Sequence, residues 1–187
     1  MLKDIIVIDD IFDIPENISS RALSYQYFNA DLHPENTNGK KMYYSGFRTE
    51  SLHLIDVDFY TLVNNTILEK IFSKSIDLNE TNCSYRYAGQ TFFHYMTKEN
   101  KFDKSWFHTD PAIYAGLIYL NTNPPENTGT IIKVDGKQNI IENKYNRLVL
   151  YRSDYSHSAQ NGFGDNIIDG RLTLTFSYNI LNLNLKK

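Results

Sequence analysis

RLTLTFSY, residues 171–178, decides the fold class of this chain, because polar and apolar side chains alternate at every position. Alternation with a period of two predicts a β-strand that has one face in a hydrophobic core. The apolar face carries Leu172, Leu174, Phe176 and Tyr178. The polar face carries Arg171 and three hydroxyl side chains, and we expect it to line the interior of a barrel. An unpaired arginine is costly there, so the pattern suggests a buried anionic ligand.

The rest of the chain divides into a helical first part and a β-rich second part. A strand is predicted at residues 4–9, and helices are predicted at 17–28, after Pro15, and at 57–72. Further strands are predicted at 84–96, 106–110, 114–121, 129–134, 147–152, 155–160 and 171–180. Residues 33–45 have the composition of a loop. The order of elements favours an α+β fold with helices on one face of a β-sandwich or squashed barrel.

Composition limits the classes of protein to which the chain can belong. Its 187 residues, 41% of them hydrophobic and 14% aromatic, predict one folded domain. A net charge of −3 argues against a nucleic-acid partner. The single cysteine, Cys83, allows no internal disulfide and suits a reducing compartment. No signal peptide or membrane-spanning run is recognisable, so we expect an intracellular, cytoplasmic protein.

Five polar residues have the spacing of a metal site with an adjacent anion site. They are His108, Asp110, His157, Arg171 and Thr173. Two histidines and one carboxylate can bind a divalent metal through one face, as in non-heme Fe(II) oxygenases. The arginine and threonine at the end of the pattern could hold the far carboxylate of a 2-oxoacid.

The individual parts of this pattern differ in weight. With 5 His, and 22 Asp or Glu among 187 residues, a His-x-Asp pair is expected about 0.6 times by chance. The weight therefore rests on His157 and Arg171, which fall in predicted strands. His94 is the main rival ligand, although its aromatic surroundings favour a satisfied core or rim histidine. Asp154 lies on the wrong strand alternation to act as a ligand.

Residues 85–178 resemble the core of the Fe(II)/2-oxoglutarate-dependent dioxygenases, and among these the prolyl-4-hydroxylase-like group. The matching motifs are Tyr87-Ala88-Gly89-Gln90, His108-Thr109-Asp110, Tyr119-Leu120-Asn121, Thr128-Gly129-Thr130, His157 and Arg171-Leu172-Thr173. The turn at Gly129 has one glycine where the family has two. The charged stretch 98–104 is either an insertion that borders the pocket or a solvated hairpin tip.

The resemblance implies an α+β fold built on a double-stranded β-helix, a jelly-roll or cupin-like core, with N-terminal helices packed on one sheet. It implies a single dioxygenase domain over residues 1–187. Residues 1–82 would form the N-terminal strand and supporting helices, and residues 83–181 would form the β-helix core.

The resemblance also assigns roles to residues. His108, Asp110 and His157 would be the catalytic metal ligands. Arg171 would pair with the C5 carboxylate of 2-oxoglutarate. Thr173 and Tyr119 would donate hydroxyls to the same carboxylate, and Tyr87 would reach the co-substrate near the metal. An ordinary packing role remains open for each of these Tyr and Thr residues.

The activity implied is oxidation of a substrate with Fe(II), 2-oxoglutarate and O2, releasing succinate and CO2. A carboxylate at Asp110 favours hydroxylation, because halogenases of this superfamily have a small residue there. Other divalent metals would also bind such a site. A protein side chain, a free amino acid and a small metabolite remain open as substrates. The alternative is a non-catalytic ligand-binding module on the same scaffold, since fold does not imply function.

Overall fold

The computed structural model describes residues 4–36, 42–75 and 85–183, and the side chains of 72–75, 85–88 and 180–183 lie outside the description. The α-helices are α1 (Pro15–Ala22), α2 (Leu52–Ile55) and α3 (Val57–Ser75). Short 3-10 helices cover Ala30–Leu32 and Lys104–Trp106. Among the described residues, no helix is both long and apolar enough to cross a membrane.

Within the described ranges, nine strands form two antiparallel sheets. The strands are β1 (Ile5–Ile8), β2 (Phe47–Arg48), β3 (Tyr85–Met96), β4 (Tyr114–Tyr119), β5 (Thr130–Val134), β6 (Lys137–Ile141), β7 (Leu148–Arg152), β8 (His157–Ala159) and β9 (Arg171–Leu183). The large sheet has the order β1-β7-β4-β9-β3-β2, and the small sheet has the order β6-β5-β8. The predicted combination of a few helices with a sheet-rich core is confirmed at this level, and the sheets are antiparallel.

The strand that suggested the fold lies near the middle of the large sheet. β9 pairs with β3 on one side and with β4 on the other. Thr173 is opposite both His94 and Tyr119, so these side chains lie on the same face of the sheet. That face looks toward the small sheet, and it carries Arg171 at the start of β9.

The opposite face of β9 packs against the helices, as its alternation predicts. Leu174 and Phe176 belong to a core cluster with Val63 and Ile67 of α3. Buried hydrogen bonds fasten α3 to the sheet, because the amide oxygen of Asn64 accepts from the hydroxyls of Thr91 and Tyr178.

A second, smaller core fills part of the space between the sheets. It consists of Ala115, Leu117, Tyr119, Ile132, Val149 and Tyr151. Ile132 comes from the small sheet, whereas the other five come from the large sheet. The inter-sheet space therefore combines an apolar base with the polar residues of β9.

Besides the short elements α2 and β2, which were not predicted, three parts of the chain differ from their sequence-based predictions. The first helix ends at Ala22 and not near Phe28, because the Phe28 backbone pairs with that of Arg48. Strand β6 was not predicted, since its exposed, polar sequence gives a weak pattern, although Asp135-Gly136 forms the expected turn with positive φ at both positions. Residues 106–110 form no strand and make only one bridge pair, His108 with His157.

We predict that Leu174→Ala lowers the free energy of unfolding by about 2–5 kcal/mol, because the side chain is fully buried and its removal leaves a cavity. The matched control is Leu62→Ala, at a side chain that is 62% exposed, and it should change stability by less than about 0.5 kcal/mol. Urea unfolding followed by circular dichroism measures both. Equal effects would contradict the packing of β9 against the helices.

Candidate active site

Backbone pairing brings the two predicted histidine ligands together. The His108 N–H donates to the His157 carbonyl at 3.1 Å, and the His157 N–H donates to the His108 carbonyl at 2.9 Å. The Asp110 N–H donates to the carbonyl of Ser153 at 2.9 Å, which fixes the segment two residues further on. These bonds attach a segment without regular secondary structure to the edge of the small sheet.

The ligand atoms of His108, Asp110 and His157 lie within 4.8 Å of one another. The Asp110 carboxylate is 3.3 Å from Nε2 of His157 and 3.8 Å from Nε2 of His108. Among the described residues, this is the one group of three such side chains close enough to hold a metal ion.

Each histidine of the group has its other ring nitrogen on a backbone carbonyl. Nδ1 of His108 is 2.8 Å from the Trp106 oxygen, and Nδ1 of His157 is 2.9 Å from the Tyr155 oxygen. A carbonyl only accepts, so Nδ1 of each ring is the donor, and in the neutral ring Nε2 is left with the lone pair that a metal requires. Metal-binding histidines usually have this arrangement. The donor set therefore fits a divalent first-row metal.

The group lies at an open edge of the inter-sheet space. The side chain of His108 is 54% exposed, whereas that of His157 is 7% exposed and packs against the ring of Tyr151. Burial raises the pKa of the Asp110 carboxyl. The hydrogen bond and charge of His157, together with the charges of His108 and Arg48, outweigh that effect and hold the pKa below its ordinary value. Asp110 is therefore a carboxylate anion at neutral pH.

Arg171 is buried at the start of β9 without a carboxylate partner among the described residues. Its Nε donates to the Thr128 carbonyl at 2.6 Å, and one terminal nitrogen donates to the Gly129 carbonyl at 3.1 Å. The guanidinium lies 5.5 Å from the ring centre of Tyr119. Burial lowers the pKa of Arg171, which is the electrostatic sign of an uncompensated charge.

Two other arginines, at the two ends of β7, are already paired with carboxylates. Arg147 donates to both carboxylate oxygens of Asp9, at 2.6 and 3.2 Å. Arg152 forms an exposed ion pair with Asp154. Each of these guanidinium groups already has a carboxylate partner, whereas that of Arg171 has none among the described residues.

The predicted hydroxyl donors lie in different settings. The Tyr119 hydroxyl donates to that of Thr130 at 2.8 Å, and Arg171 contacts the same Thr130 hydroxyl at 3.4 Å. The Thr173 hydroxyl donates to the His94 carbonyl at 3.3 Å across the sheet. Tyr87 belongs to β3, but its side chain lies outside the described residues.

The turn that receives the Arg171 guanidinium depends on a close backbone approach. A Cβ atom at Gly129 would overlap the carbonyl oxygen of Ile141, at the end of β6. The Gly129 N–H is fixed as well, because it donates to the side chain of Gln160 at 3.0 Å. One glycine is therefore sufficient for this turn, and it is required there.

Sequence reasoning missed Arg48. This residue lies in the two-residue strand β2, opposite His94, and therefore on the same face of the large sheet as Thr173. A strand of two residues shows no alternation, so no sequence signal marked its orientation. His94 itself is buried and donates from Nε2 to the Ser45 carbonyl at 2.5 Å. Burial and the charge of Arg48 hold the His94 pKa well below its ordinary value, so it is a neutral, satisfied histidine.

Comparison of the chain with known proteins gives a result at the level of structure. No protein-family model and no curated protein matches the sequence. A prolyl-4-hydroxylase from Pseudomonas putida is similar in structure, with a TM-score of 0.58 and 14% identity over 94% of this chain and 92% of that one. The fold is that of the 2-oxoglutarate/Fe(II) oxygenases.

Other structures with this oxygenase fold contain ligands. HygX from Streptomyces hygroscopicus, with nickel, 2-oxoglutarate and hygromycin B bound, has a TM-score of 0.59 and 13% identity over 95% of this chain and 83% of that one. A prolyl hydroxylase from Trichoplax adhaerens, in complex with a peptide fragment of hypoxia inducible factor, has a TM-score of 0.55 and 13% identity over 94% and 83%. At such identities the likeness establishes the oxygenase fold alone.

We predict that the protein binds one Mn(II) ion and that His157→Ala weakens this binding by more than about 100-fold. Removing a group that only hydrogen-bonds to a metal ligand costs about 10–100-fold in affinity, and removing the ligand itself should cost more. His94→Gln is the control, since glutamine also offers an N–H to the Ser45 carbonyl. Calorimetric titration measures both variants. Equal losses in the two would place the ion elsewhere.

Proposed function

We propose that this protein is an Fe(II)- and 2-oxoglutarate-dependent oxygenase that hydroxylates a protein side chain or a small molecule. The carrying observation is the convergence of the His108, Asp110 and His157 ligand atoms within 4.8 Å, with Nδ1 of each histidine hydrogen-bonded to a backbone carbonyl. Two imidazoles and one carboxylate leave coordination positions open to a co-substrate and to O2.

His108, Asp110 and His157 would hold the metal in this proposal. When bound, Fe(II) and 2-oxoglutarate would supply the oxidising chemistry, with release of succinate and CO2. Asp110 contributes negative charge, and the carbonyls of Trp106 and Tyr155 hold the two imidazoles in the ligand tautomer.

Arg171 would bind the C5 carboxylate of 2-oxoglutarate. Its guanidinium is planar and buried, and it has no carboxylate partner among the described residues. A carboxylate that binds there would therefore meet a cation that is already desolvated. The hydroxyl pair of Tyr119 and Thr130 is adjacent to it and can reorient toward the same anion. Thr173 would contribute from the next inward position of β9, and Tyr87 would reach the co-substrate nearer the metal.

The fold supports the proposal in a second way. We propose that the large and small sheets are the two halves of a double-stranded β-helix, in which the metal and the 2-oxoacid bind between the sheets. HygX, which has the same oxygenase fold, carries nickel and 2-oxoglutarate.

The substrate would approach from the open edge of the site. A cleft of about 350 Å³ is lined in part by Gln90, Ser177 and Pro111, the residue that follows Asp110 in the chain. On another side, Phe102 and Phe107 pack edge to face, and the Lys133 ammonium lies 3.5 Å from the ring centre of Phe107. Phe107, next to His108 in the chain, thus contacts the small sheet through Lys133.

We expect Asp110→Ala to abolish succinate formation and to leave the fold intact, because the carboxylate serves the metal and not the apolar core. Asp154→Ala is the matched control, since Asp154 is a nearby acidic residue in an exposed ion pair. Succinate release with Fe(II) and 2-oxoglutarate and a thermal melt are measured for each. Loss of the cooperative transition in the metal-free Asp110 variant would identify a structural residue instead.

We expect Arg171→Ala to weaken 2-oxoglutarate binding by about 2–4 kcal/mol, the scale of truncating one side of a buried charge pair. Arg147→Ala is the control, because Arg147 is already bound to Asp9. Anaerobic titration with 2-oxoglutarate in the presence of Mn(II) compares the two. Equal affinities would contradict the assignment. Binding without succinate formation in the wild-type protein would favour a non-catalytic ligand-binding module.

A further inference from the structure

The guanidinium of Arg48 is held between aromatic rings. Its central carbon lies 4.6 Å from the ring centre of Tyr44 and 5.7 Å from that of Phe92. The backbone of Arg48 is fixed by two hydrogen bonds with Phe28, at 2.8 and 2.9 Å, and by its pairing with β3. Strand pairing and ring contacts together hold the planar group in a defined orientation.

This guanidinium has unused hydrogen-bonding capacity. Its Nε is enclosed and makes no hydrogen bond, and no ion pair of Arg48 is found within the part of the chain that the structure describes. The residue as a whole remains partly exposed. A buried donor without a partner normally costs free energy, and such groups are rare outside functional sites.

Arg48 also lies close enough to the metal ligands to interact with them electrostatically. Burial lowers the Arg48 pKa, and the charge of Asp110 acts in the opposite direction. No ion pair joins the two groups. Arg48 lies on the interior face shared with His94 and Thr173, within electrostatic range of Asp110.

The charges around this space do not balance. Arg48, opposite His94, and Arg171, two residues before Thr173, lie on the same interior face of the large sheet, and Asp110 is near enough to Arg48 to act on it electrostatically. These groups are two cations and one anion. A divalent metal and doubly negative 2-oxoglutarate would cancel each other, so one positive charge would remain in a poorly hydrated site, where uncompensated charge is unfavourable.

We propose that Arg48 binds a carboxylate of the oxidised substrate, so that the substrate class is a compound with a free carboxylate next to the bond that is hydroxylated. This inference rests on the proposed function and adds a second anion subsite to it. Arg171 holds the co-substrate, and Arg48 holds the substrate. A carboxylate suits the subsite because it is planar and can accept two parallel N–H bonds from a guanidinium whose faces are covered by rings.

The carboxylate can belong to a free amino acid or to the C-terminus of a peptide. Both sources offer the same group to Arg48, and they differ in whether the amino nitrogen is free or part of a peptide bond. The probes are therefore the twenty free L-amino acids, the same amino acids as C-terminal amides, and dipeptides with free or amidated C-termini. Binding is measured by saturation-transfer NMR and calorimetry on the apo protein, the Mn(II) form, and the form with Mn(II) and 2-oxoglutarate.

At least one free carboxylate probe should bind, its amide should bind much more weakly, and Arg48→Gln should weaken the free acid by about 30-fold, as expected for one side of a charge pair. Arg48→Lys keeps the charge but loses the planar guanidinium. Its affinity for the free acid should lie between those of the wild type and Arg48→Gln. Arg152→Gln, which removes the same charge at an exposed ion pair, should bind the probe like wild type. Thermal melts check that each variant is folded.

Three results would overturn the inference. The first is equal binding of acids and amides, and the second is no binding of any acid in all three states. The third is a larger loss of 2-oxoglutarate affinity than of probe affinity in Arg48→Gln, which would make Arg48 the co-substrate anchor. Failure of the proposed function gives a different result, because 2-oxoglutarate would then not bind the wild-type Mn(II) form, while acid-selective binding could still be measured without it.

Discussion

Two backbone hydrogen bonds between His108 and His157 are the constraint on which the candidate site depends. They join a segment without regular structure to β8, and they place two imidazoles on the same side of the small sheet with ring centres 4.4 Å apart. Asp110 is then positioned by covalent connection and by its bond to Ser153. The carbonyls of Trp106 and Tyr155, one on each histidine segment, complete the arrangement by orienting the rings. Local backbone pairing thus determines the geometry of all three potential ligands.

The second organising feature is positive charge enclosed between the sheets. Within the described residues, Arg171 is bound only by neutral acceptors, two of them carbonyls of the turn at Thr128 and Gly129, and Arg48 lies against aromatic rings. Neutral acceptors satisfy donors but do not cancel charge. The positive charge between the sheets is therefore not cancelled by a carboxylate, whereas Arg147 is paired with Asp9.

Strands with a long alternation of polar and apolar residues could be predicted from the sequence. β9 extends over thirteen residues, and both its faces pack as expected. The metal-ligand spacing also led to three side chains that do meet, although the reason differs from the one expected. His108 and Asp110 converge through a single bridge and a loop, not through a strand. Arg48 could not be predicted, because its orientation depends on pairing with Phe28 and His94, which are distant in sequence.

The close approach of Gly129 to the Ile141 carbonyl has a consequence for how this protein can vary. Strand β6 is exposed and largely polar, and such hairpins ordinarily tolerate substitution and changes of length. Here the end of the hairpin is in contact with the turn whose carbonyls receive Arg171. Side chains along β6 can therefore diverge freely, while the backbone path at residue 141 and the glycine at 129 must be inherited together.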